Sequence, residues 1–390
     1  MPNIVAFAWP GAAMIDYTVI GASGANAWAH RLTGTLFLGK FMFLFSMLFG
    51  AGVVLYARKF DERDERPRLT TGAWLWYRRC AVLLVFGLIH AYLFWYGDIL
   101  TWYAAAGLTL LWWVRRLRIG TQIAVAGASY LAGMLLMLGF MLLGLWAVDQ
   151  GHMERSELVG TPPEREIAAY LGTNEIGQRS GPWVSALAQR VPTTLMMHLI
   201  IGPFYLPMLW GMMMLGMALT RTRILTGERP RGFYLKWTLI LLPVGLALTI
   251  GARWALGAAL GTGFRASFVW QSAAQGVGVP LALGYAALVI WVTKTGAMGL
   301  ATRALAGVGR MALTNYILQT LVCTTLFYGY GFGYFAHIEF PALWLVVIGV
   351  WGVNIVFSAL WLRAFRFGPL EWVWRCATYG QVVPIRVKNA

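Results

Sequence analysis

The chain has 390 residues, of which 59% are hydrophobic and only 12% are charged. A soluble protein carries about 25% charged residues, so the composition excludes a soluble globular domain. The apolar residues lie in continuous runs of about 20, as bilayer-spanning helices require, whereas the strands of a membrane barrel would alternate over about ten residues. The sequence therefore predicts an all-α fold, a polytopic integral membrane helical bundle.

The formal net charge of +16 is unevenly distributed along the chain. With the spans given below, 23 of the 31 lysines and arginines fall in loops on one side of the membrane and six on the other. This asymmetry is the positive-inside signature and indicates that the basic side is cytoplasmic. It predicts a multi-pass protein of the inner (plasma) membrane with its N-terminus outside and its C-terminus in the cytoplasm. We expect membrane lipids as partners and no nucleic acid.

Nine spans are predicted within a single transmembrane domain, 1–390. They cover residues 33–57, 80–96, 99–114, 121–147, 194–219, 236–258, 268–292, 312–331 and 341–363. Residues 1–32 are apolar but interrupted, which predicts an outer-surface or partly inserted N-terminal segment. The polar residues 148–193 predict an outer-surface loop with short amphipathic helices. The tail, 364–390, is cytoplasmic in this interpretation, and its aromatic and basic residues predict an interfacial helix.

One histidine and one aspartate stand out in residues 78–98, which read RRCAVLLVFGLIHAYLFWYGD. A histidine within the bilayer is costly unless it has a polar partner or a water-filled cavity, so His90 is a candidate functional residue. Asp98 follows eight residues later, just over two turns along a continuous helix, and would share a face with His90. The pair is our candidate catalytic site. In the alternative interpretation, His90 makes a structural hydrogen bond and Asp98 is an exposed turn residue.

Further polar residues lie in the outer halves of the predicted spans. They are Lys40, His198, Arg253, Gln271 and Gln275. Because buried charges pair or line wet cavities, we expect a polar chamber that opens to the outer side. As alternatives, Lys40 and Arg253 would reach to the outer interface, and His198 would make a helix-packing hydrogen bond.

Asn315, Gln319 and Cys323 share one stripe of the eighth span. Amides on such a stripe commonly hold helices together, and a substrate-lining role is the alternative. The sequence contains no HExxH motif, no GxSxG elbow and no P-loop, and we predict no metal site.

Several segments resemble the signature of the DUF418 family, the bacterial YeiB-like membrane proteins. They are GRMALTNYILQT (309–320), FYGYGFG (327–333) and FRFGPLEWVWRCATYG (365–380). GKFMFLFSMLFGAG (39–52) and the RR…GLIH…WYGDIL block (78–100) resemble the first half of that family. Family members usually begin with a span carrying a D-x-x-R-G-like start. MPNIVAFAWP resembles only the outer end of that span, which leaves two alternatives: the start of the sequence is mis-assigned, or the first span is lost.

The resemblance groups the chain with transmembrane acyltransferases, including the heparan-alpha-glucosaminide N-acetyltransferase type. It implies a cavity reached by an acyl-CoA donor and a histidine that takes part in acyl transfer, here His90 with Asp98 as its companion. The acceptor would be a glycan or lipid-linked molecule at the outer face, and Lys40 or Arg253 would stabilise an oxyanion. The alternative is a transporter or lipid flippase for a small solute or lipid. The oligomeric state stays open, with a homo-oligomer as one option.

Overall fold

The structure is a computed structural model that describes residues 3–15, 23–61, 69–109, 111–149, 175–260, 273 and 276–387. Within these ranges the fold is all-helical, as predicted, and no strand is formed. Gln271 and Gln275 fall outside the described residues.

The helices are numbered in chain order. The first half contains α1 (Ile4–Ala8), α2 (Gly11–Ile15), α3 (Gly24–Leu36), α4 (Lys40–Asp61), α5 (Leu69–Ile89), the π-helix π1 (His90–Phe94), α6 (Leu100–Leu108), α7 (Leu111–Val114) and α8 (Ile119–Asp149). The second half contains α9 (Trp183–Met196), the π-helix π2 (Met197–Ile201), α10 (Gly202–Arg221), α11 (Arg231–Leu260), α12 (Val279–Thr295), α13 (Gly299–Arg310), α14 (Ala312–Phe327), α15 (Phe340–Ala364) and α16 (Pro369–Tyr379).

Six stretches of the described chain are long and apolar enough to cross a membrane. They are Gly24–Phe60, Gly72–Phe94, Ile119–Phe140, Trp183–Arg221, Arg231–Ala255 and Phe340–Ala364. The helices α12 and α14 are also apolar but shorter. The expectation of one continuous span over 99–114 is wrong, because these residues contain two short helices, α6 and α7. The nine residues of α6 rise only about 14 Å, less than the roughly 30 Å of hydrocarbon that a span must cross.

Helix α10 lies at the centre of the bundle and packs against α4 and α8. Small residues allow the backbones of α4 and α10 to approach closely. A Cβ at Gly50 would lie 1.9 Å from the carbonyl oxygen of Met213, and one at Gly216 would lie 2.1 Å from that of Met47. Glycine at such positions is typical of membrane helix pairs, since close backbone packing replaces the hydrophobic drive available in water.

The hairpin formed by α5, π1 and α6 carries the candidate pair. Helix α5 packs along α6, and the closest approach is at Gly87, where a Cβ would lie 2.5 Å from the amide nitrogen of Thr101. The hairpin predicted from the sequence is therefore formed. Its first helix ends in a π-turn at Phe94 and does not continue to Asp98.

The N-terminal segment is packed into one end of the bundle. All five residues of α1 are buried, and Phe7 stacks on Trp95 with ring centroids 4.1 Å apart. The amide of Ala336 donates to the carbonyl of Ala8 at 2.8 Å. This segment therefore covers the hairpin turn from the end that the charge pattern predicts to be the outer one.

The predicted C-terminal helix is present as α16, which packs against α5 and α14. The indole of Trp374 donates to the carbonyl of Arg79 at 2.8 Å. Glu371 accepts hydrogen bonds from the amides of Leu313 and Thr314 at 2.7 and 3.0 Å. Because the first turn of a helix has free N–H groups, this carboxylate anchors the start of α14. The position of α16 relative to a membrane surface stays a prediction.

The helix predicted to begin at residue 194 begins instead at Trp183. The segment PWVSALAQR (182–190), which falls in the predicted outer-surface loop of 148–193, is the first part of α9. Through π2, α9 runs into α10, and together they form one candidate span of 39 residues. The apolar character of α9 is lower than that of α10 because it carries buried polar groups such as Arg190, which contact the hairpin.

Candidate functional site

His90 and Asp98 form a buried hydrogen-bonded pair. The ring nitrogen Nδ1 of His90 lies 2.8 Å from Oδ1 of Asp98, and the two residues are 1% and 4% exposed. The second carboxylate oxygen of Asp98 accepts a hydrogen bond from the amide of Thr101 at 2.7 Å. The sequence interpretation of Asp98 as an exposed turn residue is therefore wrong. The carboxylate joins the end of one hairpin arm to the start of the other.

Helix α14 completes the surroundings of the imidazole. The hydroxyl of Thr320 lies 2.9 Å from Nε2 of His90, so both ring nitrogens have polar partners. The ring of Tyr316, one turn earlier, lies 4.9 Å from the imidazole between centroids, and its hydroxyl reaches Oδ1 of Asp98 at 3.4 Å. His90 thus faces the protein interior between the hairpin and α14, and it does not face lipid.

The π-turn that carries His90 is held by α9. A π-helix leaves carbonyl groups without their usual α-helical partners. Two of them are satisfied from α9: the hydroxyl of Thr194 donates to the carbonyl of Ala91 at 3.2 Å, and the guanidinium of Arg190 donates to the carbonyl of Leu93. Since Arg190 and Thr194 are four residues apart, they project from one face of α9 onto the turn.

The structure does not bring the predicted cationic residues to this pair. The ammonium of Lys40 is buried at the junction of α3 and α4 and donates to the carbonyl of Gly34 at 3.2 Å. Arg253 is half-buried on α11, which packs chiefly against α12. No described contact places either cation beside His90, so a direct role in stabilising an oxyanion there has no geometric support.

His198 lies on the other side of the hairpin, in π2. Its ring meets Tyr92 and Trp102 edge-on, with centroids 5.7 and 5.2 Å apart. Its Nε2 is buried and makes no hydrogen bond with any described residue. His198 therefore packs against aromatic rings and makes no described hydrogen bond to the His90–Asp98 pair, although it interacts electrostatically with Asp98.

The predicted amide stripe of α14 joins helices. Asn315 is buried, and its amide donates to the carbonyl of Val308 at 3.0 Å and to the hydroxyl of Ser358 on α15 at 2.9 Å. Gln319 is half-buried on the same helix. The helix-packing interpretation of Asn315 is therefore supported.

Sequence reasoning missed the residues that contact the pair from other helices. The stripe of α14 that faces His90 contains Tyr316 and Thr320, each one residue after a member of the predicted stripe. One residue rotates the direction of a side chain by about 100° on a helix. The i, i+4 spacing of a tyrosine and a threonine in an apolar helix was the available signal. Nothing in the sequence indicates which of two adjacent stripes faces the histidine.

The described residues contain no group of three or more histidine, cysteine, aspartate or glutamate side chains that could hold a metal ion. The site is built from one imidazole, one carboxylate and two hydroxyl groups. These groups can donate and accept hydrogen bonds, and an imidazole beside a carboxylate can take part in proton transfer.

Comparison with known proteins gives one family and several relatives. The family model described as "Protein of unknown function (DUF418)" matches residues 219–381, which include Tyr316 and Thr320. "Uncharacterized protein YeiB" of Escherichia coli K12 is 34% identical over 391 residues, covering 100% of this chain and 94% of the relative. "Uncharacterized protein YxaH" of Bacillus subtilis 168 is 31% identical, covering 90% of this chain and 82% of the relative. No solved structure matches the chain.

Proposed function

The chain belongs to the DUF418 family of YeiB-like membrane proteins, and from its buried His90–Asp98 pair we propose that it is a membrane-embedded acyltransferase. The donor is a cytoplasmic acyl-CoA, and the acceptor is a glycan or lipid-linked molecule at the outer face. The protein acts in the bacterial inner membrane, with its basic loops in the cytoplasm. The relatives carry no activity in their names, so the proposal depends on the site.

The observation that supports this proposal is the order of partners around His90. Asp98 is an acceptor when ionised, so it takes the hydrogen of Nδ1–H and holds the neutral ring in one tautomer. The lone pair of Nε2 is then directed at the hydroxyl of Thr320, 2.9 Å away. A carboxylate, an imidazole and a hydroxyl in this order form the arrangement by which a histidine accepts a proton from an alcohol.

The reaction that fits this arrangement is general-base catalysis. Nε2 of His90 accepts the proton of the acceptor hydroxyl or amine, which occupies the place of the Thr320 hydroxyl, while the acceptor atom forms a bond to the thioester carbonyl carbon. The carbon–sulfur bond then breaks, and the proton on Nε2 passes to the departing CoA thiolate. Asp98 stabilises the imidazolium that exists between these steps. In the alternative route, Nε2 attacks the thioester carbonyl carbon and the carbon–sulfur bond breaks, which releases the CoA thiolate. The acceptor then attacks the acyl-imidazole, the acyl–nitrogen bond breaks, and the acceptor's proton passes to the thiolate.

Both routes require that the site open. His90 and Thr320 are 1% and 2% exposed, so an acceptor reaches Nε2 only if the hairpin and α14 separate locally. On the basic side, the cytoplasmic loops attract the phosphates of CoA, because clustered positive charge raises the local concentration of an anionic donor.

A transporter is the second candidate, and one observation favours it. The continuous run of α9, π2 and α10 contains Pro192 and Pro207 within its helices and a π-helix between them. Such interruptions allow a membrane helix to bend, and a buried histidine–carboxylate pair serves proton relays in transporters. In this reading the same pair takes up and releases a proton as the helices move.

Thioester turnover separates the two candidates. The full-length protein, purified in detergent and returned to lipid vesicles, is supplied with acetyl-CoA and with longer acyl-CoAs in the presence of membrane lipids as acceptors. Release of free CoA, with label from the acyl group found in a lipid product, supports the acyltransferase. Proton-coupled movement of a solute without CoA release supports the transporter.

A further inference from the structure

Among the described residues, one buried cation near the site has no counter-charge. Arg190 on α9 is 1% exposed, and its Nη2 makes no hydrogen bond with the described residues. No carboxylate in the described part of the chain forms an ion pair with it. It donates to the carbonyl of Leu93, and the hydroxyl of Tyr330 is a second hydrogen-bond partner. A guanidinium removed from water without an anion loses solvation that one carbonyl and one phenol hydroxyl do not restore.

Arg179, a second buried arginine in this region, has a carboxylate partner. The guanidinium of Arg179 is paired with the carboxylate of Glu175, donates to the carbonyl of Ala6 at 3.0 Å and lies over three aromatic rings. Glu175 also accepts the amide of Gly11 at 2.9 Å, so both of its oxygens have partners. Asp98 is likewise bound by His90 and Thr101 and makes no contact with Arg190. Neither carboxylate is available to Arg190.

Arg190 lies beside two tyrosines that precede an exposed aromatic loop. Arg190 interacts electrostatically with Tyr328 and Tyr330, and Tyr330 is half-buried. The loop that follows exposes two large aromatic side chains, Phe332 at 73% and Tyr334 at 49%. Aromatic residues in this arrangement are typical of the headgroup level of a membrane, where lipid phosphates lie.

We propose that Arg190 is the centre of a binding site for the phosphate group of a lipid, entered beside Tyr330. A phosphate supplies both the missing negative charge and the oxygen atoms that a guanidinium binds. The site lies one helix away from the His90 turn, to which Arg190 is joined through Leu93. If this phosphate belongs to the acceptor, the acceptor is a phosphorylated lipid, an assignment that rests on the proposed function.

Binding of matched lipids to the purified full-length protein tests the site. The probes are a polyprenyl phosphate and its unphosphorylated polyprenol, and phosphatidylglycerol and a diacylglycerol of the same chains, titrated in a non-ionic detergent. We expect the phosphorylated member of at least one pair to bind more tightly than its uncharged partner. We also expect Arg190→Gln to weaken that binding by about tenfold to a hundredfold, and Arg190→Lys, which keeps the charge, to weaken it less.

A second arginine provides the matched control. Arg221 also donates to backbone carbonyls, those of Arg115 and Leu117. It is the last residue of α10, whereas Arg190 lies on α9, before the start of α10. Arg221→Gln should leave the affinity for the phosphorylated lipid unchanged. Equal binding of phosphorylated and unphosphorylated lipids by the native protein would overturn the proposal without any variant, and so would native affinity in Arg190→Gln.

The arms of the experiment also identify the lipid. A preference for the polyprenyl phosphate supports an acceptor site, whereas equal binding of phosphatidylglycerol supports a site for bulk anionic lipid. Lipid binding is measured without acyl-CoA, so its result does not depend on turnover at His90. A protein that binds the phosphorylated lipid selectively but releases no CoA would therefore refute the acyltransferase proposal alone. A protein that releases CoA but does not prefer phosphorylated lipids would refute only the phosphate site.

Discussion

His90 and Asp98 lie on different elements, one on the π-turn that ends α5 and the other at the start of the returning arm, and a 2.8 Å hydrogen bond joins their side chains. The same carboxylate accepts the amide of Thr101 at 2.7 Å. The hydrogen bond that orients the imidazole is thus also part of the turn. The protein cannot change the hairpin geometry without moving the imidazole.

Asp98→Asn should separate these two roles. The amide oxygen of asparagine can still accept the hydrogen bond from Thr101, so the hairpin should fold. Its NH₂ group would donate to Nδ1 of His90, which places the ring hydrogen on Nε2 and removes the base. We expect the rate of CoA release to fall by about 10³-fold to 10⁴-fold with little change in unfolding temperature. An active Asp98→Asn protein would show that the carboxylate only shapes the turn.

Gly87→Ala should disturb the site through the backbone. A Cβ at this position would lie 2.5 Å from the amide nitrogen of Thr101 and 2.6 Å from its hydroxyl, so the two hairpin arms must move apart. Overpacking of this kind costs about 1–3 kcal/mol, and here it also shifts the partner of Asp98. Gly52→Ala on α4 is the control, because nothing lies within 4 Å of its Cβ position. Equal unfolding free energies for the two variants would contradict the close approach.

Thr320→Val should destabilise the protein at the imidazole. The change keeps the shape of the side chain but leaves Nε2 of His90 buried without a partner, which costs about 1–3 kcal/mol of unfolding free energy. Thr320→Ser, which keeps the hydroxyl, should cost less. The control is Thr324→Val, one turn further along α14, where the buried hydroxyl donates only to the carbonyl of Leu321 at 3.3 Å. Unfolding in detergent should rank Thr320→Val as the less stable of the two valine variants.

The sequence predicted the His90–Asp98 contact, but through a premise that the structure corrects. The eight-residue spacing places both side chains on one face only if the helix continues. The helix ends at Phe94, and the chain reverses through Trp95 and Gly97, so the contact arises from the turn. The π-turn is stabilised by Thr194 and Arg190, which are about a hundred residues away, and a local pattern contains no information about such partners.

Hydropathy predicted the helical fold and most of the long helices. A long apolar run is favoured in lipid by its composition, whichever helices it packs against, so no tertiary contact is needed to predict it. Hydropathy failed at 99–114, where the run is uniformly apolar and yet α6 ends at Leu108. No proline or glycine follows Leu108 directly to mark that end. The hydroxyl of Thr109 accepts a hydrogen bond from the indole of Trp210 at 3.0 Å, a tertiary contact. Helix ends that depend on such contacts are not visible in the sequence.

The orientation of the chain in the membrane is tested by labelling single cysteines. Phe332 and Val382 are 73% and 82% exposed and lie at the ends of the bundle that the charge pattern assigns to the outside and to the cytoplasm. In cells, a membrane-impermeant maleimide should label Phe332→Cys directly and Val382→Cys only after permeabilisation. The native Cys80 and Cys323 are buried, and Cys376, which is half-buried on the predicted cytoplasmic side, is replaced by serine in both variants. The opposite labelling pattern would refute the positive-inside assignment.

The proton-accepting role of His90 is tested most directly by CoA release from acyl-CoA by His90→Gln. Glutamine can hydrogen-bond to Asp98 and Thr320, so the protein should fold, but it cannot take up a proton at neutral pH. We expect the variant to release no CoA above background, while His198→Gln, a change at a membrane-embedded histidine that makes no described hydrogen bond to Asp98 or Thr320, keeps its activity. Native CoA release by His90→Gln would contradict the account and reduce His90 to a packing residue.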